Sequence, residues 1–118
     1  MNLAIFDIDG TLTNTNNVDE DCFVKALAEV HSINDIVTDW TAYPHTTDSG
    51  ITQHIFQEQF SRSPEETELS KLKGCFVGML SEHYETDSLS FAEIRGASAA
   101  LESLKQDSDW AVAIATGC

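Results

Sequence analysis

With 118 residues, the chain can form one domain or a small core carrying an inserted module. Hydrophobic residues make up 42%, enough to bury a core and to exclude a disordered tail. Six basic against 20 acidic residues leave a net charge of -14, which excludes nucleic acid and anionic membranes as expected partners, because phosphate surfaces are bound by clusters of Lys and Arg.

The opening stretch Met1 to Asp9 has no basic leader region and meets acidic residues at once, so no signal peptide is expected. Within it, Leu3 to Ile8 (LAIFDI) is a short apolar run ending in the turn signal Asp9-Gly10, which predicts a buried parallel strand. From Val18 to Ile33 the apolar residues Cys22, Val24, Ala26, Leu27 and Val30 recur at helical spacing behind Asp19, Glu20 and Asp21, acids that suit a helix N-terminus. Residues Asn34 to Thr47 have no clear period and read as a connection. Asp48 or Ser49 is expected to cap a second helix that turns Ile51, Ile55, Phe56 and Phe60 inward. Ser63-Pro64-Glu65-Glu66 predicts a third helix start, with Ser63 as N-cap, Pro64 in the first turn and Glu66 closing a capping box. That helix is expected to run to about Tyr84, with Leu69, Leu72, Phe76, Met79, Leu80 and His83 on one side.

Gly96 to Lys105 places Ala97, Ala100, Leu101 and Leu104 on one face of a fourth helix. A short polar turn then leads into a second apolar strand, Trp110 to Ala115, followed by Thr116-Gly117. Two strands joined by a long segment that ends in a helix imply a parallel α/β sheet with a helical insertion. No apolar run reaches the ~18 residues that a membrane span requires. Cys22, Cys75 and Cys118 form no CxxC pair, and His31, His45, His54 and His83 are scattered, so reduced thiols in a cytoplasmic protein are expected and no zinc cluster.

The chemistry concentrates in Asp7-Ile8-Asp9-Gly10-Thr11. Strand alternation puts Asp7 and Asp9 on one side, and Gly10 lets the chain turn sharply just beyond them. Two carboxylates therefore meet at the C-terminal edge of a parallel strand, where α/β folds place their ligands. Such a pair can divide labour, one ionised as nucleophile or metal ligand while the other holds a proton. Thr11 adds a hydroxyl and an amide within reach. In the helical segment, His45 to Ser49 is the best candidate for a loop facing a substrate, while Trp40 and Tyr43 are expected to pack in the helical core.

The strand followed by DIDGT resembles the first motif of the haloacid dehalogenase superfamily. Thr116, after the WAVAIA strand, is similar to the Thr or Ser of that family's second motif, and Ile94-Arg95-Gly96-Ala97 resembles the entry to the preceding helix. The resemblance implies a Rossmann-like parallel sheet, built here from residues 1–14 and 89–118, with residues 15–88 as a helical (C1) cap. It implies a phosphatase in which Asp7 is the nucleophile and Asp9 the general acid/base, acting through an aspartyl-phosphate on a small phosphorylated metabolite. It further implies Mg2+ held by the Asp7 carboxylate and the Asp9 main-chain carbonyl, with Thr11, Thr116, Gly117 and amides after Asp9 binding the phosphoryl group. Local metal and amides would then attract an anion despite the negative net charge.

The family's third motif, a Lys, and its fourth, an acidic pair, follow the second motif and have no counterpart in the two residues after Thr116. Lys71 and Lys73, expected in the cap, and Lys105, expected in a surface helix turn, do not substitute for the Lys. The sequence is therefore expected to be part of a longer protein. A phosphomutase transferring the group to a sugar hydroxyl, and a non-catalytic chain that binds or pairs with another, are the alternatives.

Overall fold

A computed structural model of the chain describes residues 1–117. The elements in order are strand β1 (Asn2–Phe6), helices α1 (Asn16–His31), α2 (Asp48–Phe60), α3 (Glu66–Thr86) and α4 (Ala97–Gln106), and strand β2 (Trp110–Ile114), with short 3-10 turns at Trp40–Ala42 and Ser88–Phe91. The fold is α/β, with four helices between two strands as the sequence predicts. The chain divides into two compact units: Met1–Glu20 with Ser81–Thr116, and Asp21–Leu80, in which Gly117 also makes its contacts.

In the first unit β1 and β2 pair in parallel, Asn2 opposite Trp110 and Phe6 opposite Ile114. The predicted helix-turn-strand from residue 96 onward forms: Gly96 adopts a left-handed conformation (φ 89°) ahead of α4, and Trp110 N–H donates to Asp107 to close the turn into β2. The sequence expectation that these strands are buried is not met. Leu3 and Ile5 are 59% and 62% exposed, and Trp110, Val112 and Ile114 are exposed as well. The physical reason is layer count: α4 lies against β2, and an apolar run is buried only where a layer covers it.

The second unit is helical. Its interior is built from Cys22, Phe23, Ala26 and Leu27 of α1, Ile51, Ile55 and Phe56 of α2, and Leu72 and Phe76 of α3. Phe23 sets its ring edge-on to Phe76 (5.8 Å) and to Trp40 (6.0 Å), and Trp40 stacks on Tyr43. Both aromatic residues of the connection thus belong to this packing, as expected. Phe60, expected to turn inward, is 43% exposed at the last turn of α2, with its ring edge-on to Phe56. Helix α1 stops at His31 because Ser32 turns left-handed (φ 56°), and Ile33, read from sequence as helical, is instead buried just beyond the end.

Two helix starts differ from expectation. Thr47, not Asp48 or Ser49, caps α2, its Oγ1 accepting from the Gly50 amide at 3.2 Å. At α3 the box is shifted two residues: Glu68 Oε1 accepts from the Glu65 amide at 2.9 Å, and the Glu65 carbonyl takes the first helical bond from Leu69. Cys22 is buried and Cys75 half-buried, both as thiols, while Cys118 lies outside the described residues. Among the described residues no helix is long and apolar enough to cross a membrane.

Candidate active site

The predicted site grows from the end of β1. Ala115 N–H donates to the Phe6 carbonyl at 2.9 Å, extending the strand pairing by one residue, so Asp7 and Thr116 leave neighbouring strands at the same edge of the sheet. The Ile8 amide donates to Asp7 Oδ1 at 2.8 Å, orienting that exposed carboxylate. The chain then coils tightly around one atom. The Ile8 carbonyl accepts from the amides of Thr11 (3.1 Å), Leu12 (2.9 Å) and Thr13 (3.1 Å), and the Gly10 amide donates to the Thr13 carbonyl at 2.7 Å.

This coil requires a left-handed residue at Gly10 (φ 78°), where a Cβ would also collide with the Asn16 side chain. The coil is tied down from outside. Asn14 N–H reaches the Ala92 carbonyl and Ile94 N–H the Leu12 carbonyl, each at 2.8 Å, forming a short antiparallel bridge between Thr13 and Glu93. Glu93 in turn accepts from the hydroxyl and the amide of Ser98 in the first turn of α4, and these bonds hold its carboxyl below the usual range.

Amides 10 to 13, which sequence reasoning directed at an anion, therefore donate inside the turn instead. Thr11 sits exposed on the outer side of the coil. The Gly117 carbonyl accepts from the Asp48 amide at 3.0 Å, and its Cα approaches the Thr46 carbonyl so closely that a Cβ would stand 3.0 Å from it. The structure thus brings Asp7, Asp9 and Thr116 to one sheet edge and packs Gly117 on residues 46–48. It also brings in two residues that sequence reading passed over. Thr15 Oγ1 donates to Asp9 Oδ1, and Thr13 Oγ1 lies 2.8 Å from Thr15 Oγ1. The alternation of hydroxyls at 11, 13 and 15 was the only signal for them.

The donors at the strand end are all oxygen, a set that suits Mg2+, which keeps several waters and takes few protein carboxylates. Among the described residues no group of three or more His, Cys, Asp or Glu side chains gathers around a metal position. Asp7 and Asp9 are the carboxylates that this strand end offers. In the helical unit, the expected substrate-facing loop supplies Asp48 and Ser49 to an otherwise apolar groove of about 390 Å³, walled by Phe23, Leu72, Phe76 and Leu80 with Lys73 at its rim.

No protein-family model and no curated protein matches the sequence. Among solved structures, a predicted phosphoglycolate phosphatase from Haemophilus somnus 129PT matches over 98% of this chain, with a TM-score of 0.50 and 18% sequence identity. The chain spans 50% of the length of that protein. The likeness is one of fold alone, an α/β arrangement of strand, helical segment, helix and strand.

Proposed function

We propose that this chain carries the nucleophile end of a magnesium-dependent phosphatase of the haloacid dehalogenase type, with residues 15–88 as its cap, hydrolysing the monoester of a small phosphorylated metabolite. The observation that carries the reading is the placement of Asp7 and Asp9 at the C-terminal end of β1, beside the strand end that bears Thr116. The likeness in fold to a predicted phosphoglycolate phosphatase supports the same reading.

In this reading the Asp7 carboxylate attacks phosphorus as the bond to the ester oxygen breaks, giving an aspartyl-phosphate. Asp9 delivers a proton to the departing oxygen, so a neutral alcohol leaves. The Asp9 carboxylate then takes a proton from water as the water oxygen attacks phosphorus, and the bond from phosphorus to the Asp7 oxygen breaks, releasing inorganic phosphate and the free Asp7 carboxylate. Thr116 donates its hydroxyl to a phosphoryl oxygen. Mg2+, held by the Asp7 carboxylate and the Asp9 main-chain carbonyl, would supply positive charge against the phosphoryl oxygens.

The test is covalent. The protein carrying this sequence is incubated with Mg2+ and an aryl phosphate, quenched in acid and reduced with borohydride, which converts an aspartyl-phosphate to homoserine. Peptide mass spectrometry should find homoserine at position 7 alone. Turnover without modification there would overturn the reading.

A further inference from the structure

Thr15 stands immediately before α1, where a Thr hydroxyl ordinarily serves the amides of the first helical turn. Capping draws on the oxygen as acceptor; the hydroxyl proton itself goes to Asp9 Oδ1. A hydroxyl has one proton to give and lone pairs to receive. With the Thr15 proton committed to the carboxylate, the Thr15 oxygen is the acceptor for Thr13 Oγ1 at 2.8 Å, a shorter contact than the 3.4 Å from the same hydroxyl to the Ile8 carbonyl. Thr13 is itself anchored, its amide to the Ile8 carbonyl, its carbonyl to the Gly10 amide, and its backbone bridged to Glu93. Thr15 is buried, so its hydroxyl meets these fixed neighbours rather than bulk water.

An Asp side chain without such a partner samples several staggered χ1 wells. A charge-assisted bond from an anchored, buried donor selects one of them. We infer that Thr15, ordered by Thr13, is a positioning residue that fixes the Asp9 carboxylate at the strand end, so that Asp9 meets the leaving oxygen already oriented. The inference rests on the acid/base role given to Asp9 above. Helix α1 keeps its first bond without the hydroxyl, because Asp19 N–H donates to the Thr15 main-chain carbonyl at 2.9 Å. Valine, matched to threonine in shape, therefore removes the hydroxyl, with its bond to Asp9 and its contact with Thr13, and spares the backbone bond that starts the helix.

The experiment compares wild type with Thr15→Val, Thr15→Ser and Thr13→Val in two measurements. NMR side-chain couplings report the χ1 of Asp9. Wild type and Thr15→Ser should show one rotamer, Thr15→Val an averaged value, and Thr13→Val, which removes only the second hydroxyl, an intermediate one. Steady-state kinetics then compare an alkyl with an aryl phosphate. Misplacing a reacting group commonly costs ~10²-fold, so kcat on the alkyl ester should fall on that order in Thr15→Val with KM unchanged, and return in Thr15→Ser. The aryl ester, whose leaving group needs no proton, should lose far less in the labelling of Asp7. A purely structural lesion would depress both substrates alike, which would overturn the inference, as would a single Asp9 rotamer in Thr15→Val or Thr13→Val. If wild type hydrolyses neither ester, the proposed phosphatase activity fails, while the rotamer measurement still decides whether Thr15 holds Asp9.

Discussion

Arg62 holds Glu68 through both of its terminal nitrogens, Nη1 to Oε1 at 2.6 Å and Nη2 to Oε2 at 2.9 Å, across the entry to α3. The same carboxylate accepts from the Glu65 amide, so the fork fixes the group that caps the helix. The bonds from Arg62, then the one from Glu65, lower the pKa of Glu68 from near 4.5 to about 2.

A depressed carboxylate stabilises the folded state fully above its unfolded value, and loses that contribution as pH falls through its folded value. The contribution of Glu68 should therefore be complete above about pH 4.5 and vanish toward pH 2. Denaturant midpoints of wild type and Arg62→Met, measured from pH 7 to pH 2, should differ most at the upper end and converge at the lower. Two curves that stay parallel throughout would show that the fork does not couple to folding.

The glycines give opposite expectations. Gly74 and Gly78 lie inside α3, and a Cβ at either would meet nothing within 4 Å. Gly74→Ala should stabilise the protein by about 0.5–1 kcal/mol, since glycine gives up more chain entropy in a helix than alanine. Gly10→Ala should cost about 1–2 kcal/mol for the left-handed backbone alone, and displaces Asn16 besides. Thermal unfolding of the two variants should move in opposite directions, and a shared direction would contradict the backbone assignment at one of them.

Phe56 is fully buried on α2, edge-on to His31 at 5.1 Å and to Phe60 at 5.2 Å. Phe56→Ala should destabilise the helical unit by about 3–5 kcal/mol, the usual range for truncating a buried aromatic ring. Urea titration of this variant, followed by helical circular dichroism, gives the number. A loss below 1 kcal/mol would mean that the neighbouring side chains collapse into the space.

The strands, α4 and the helical insertion were legible in the sequence because each is a local pattern: an apolar run closed by Asp9-Gly10, an Ala/Leu stripe, a period of apolar residues. What the sequence missed depends on partners distant along the chain. The capping acid of α3 is Glu68 rather than Glu66 because Arg62 draws that carboxylate back over the amide of Glu65. Thr46, Thr47, Asp48 and Ser49 can all cap a helix, so composition could not single out Thr47. The exposure of Leu3 and Ile5 depends on which layer covers the sheet, which an apolar run does not reveal. Asp7 and Asp9 were legible as a pair, but the link from Thr15 to Asp9 spans six residues and exists only because the chain coils back at Gly10.

The two carboxylates should be separable by kinetics with an aryl phosphate, whose leaving group departs without a proton. In the proposed mechanism Asp7→Asn removes the attacking oxygen, and an amide cannot replace it. No phosphoenzyme should form, and retention of even a tenth of the wild-type rate would exclude Asp7 as the covalent residue. Asp9→Asn should still be phosphorylated on Asp7, because the first displacement of an aryl group needs no acid. Its second step needs a base to take the proton from water, and general acid/base catalysis is typically worth ~10²–10⁴-fold. A rapid burst of aryl alcohol, close to one per chain, should be followed by a steady state slower by about that factor. Mg2+ affinity should survive in Asp9→Asn, because the ligand proposed there is the main-chain carbonyl. Collapse of metal binding in calorimetry would instead make the side chain the ligand, and the division of labour between Asp7 and Asp9 would have to be redrawn.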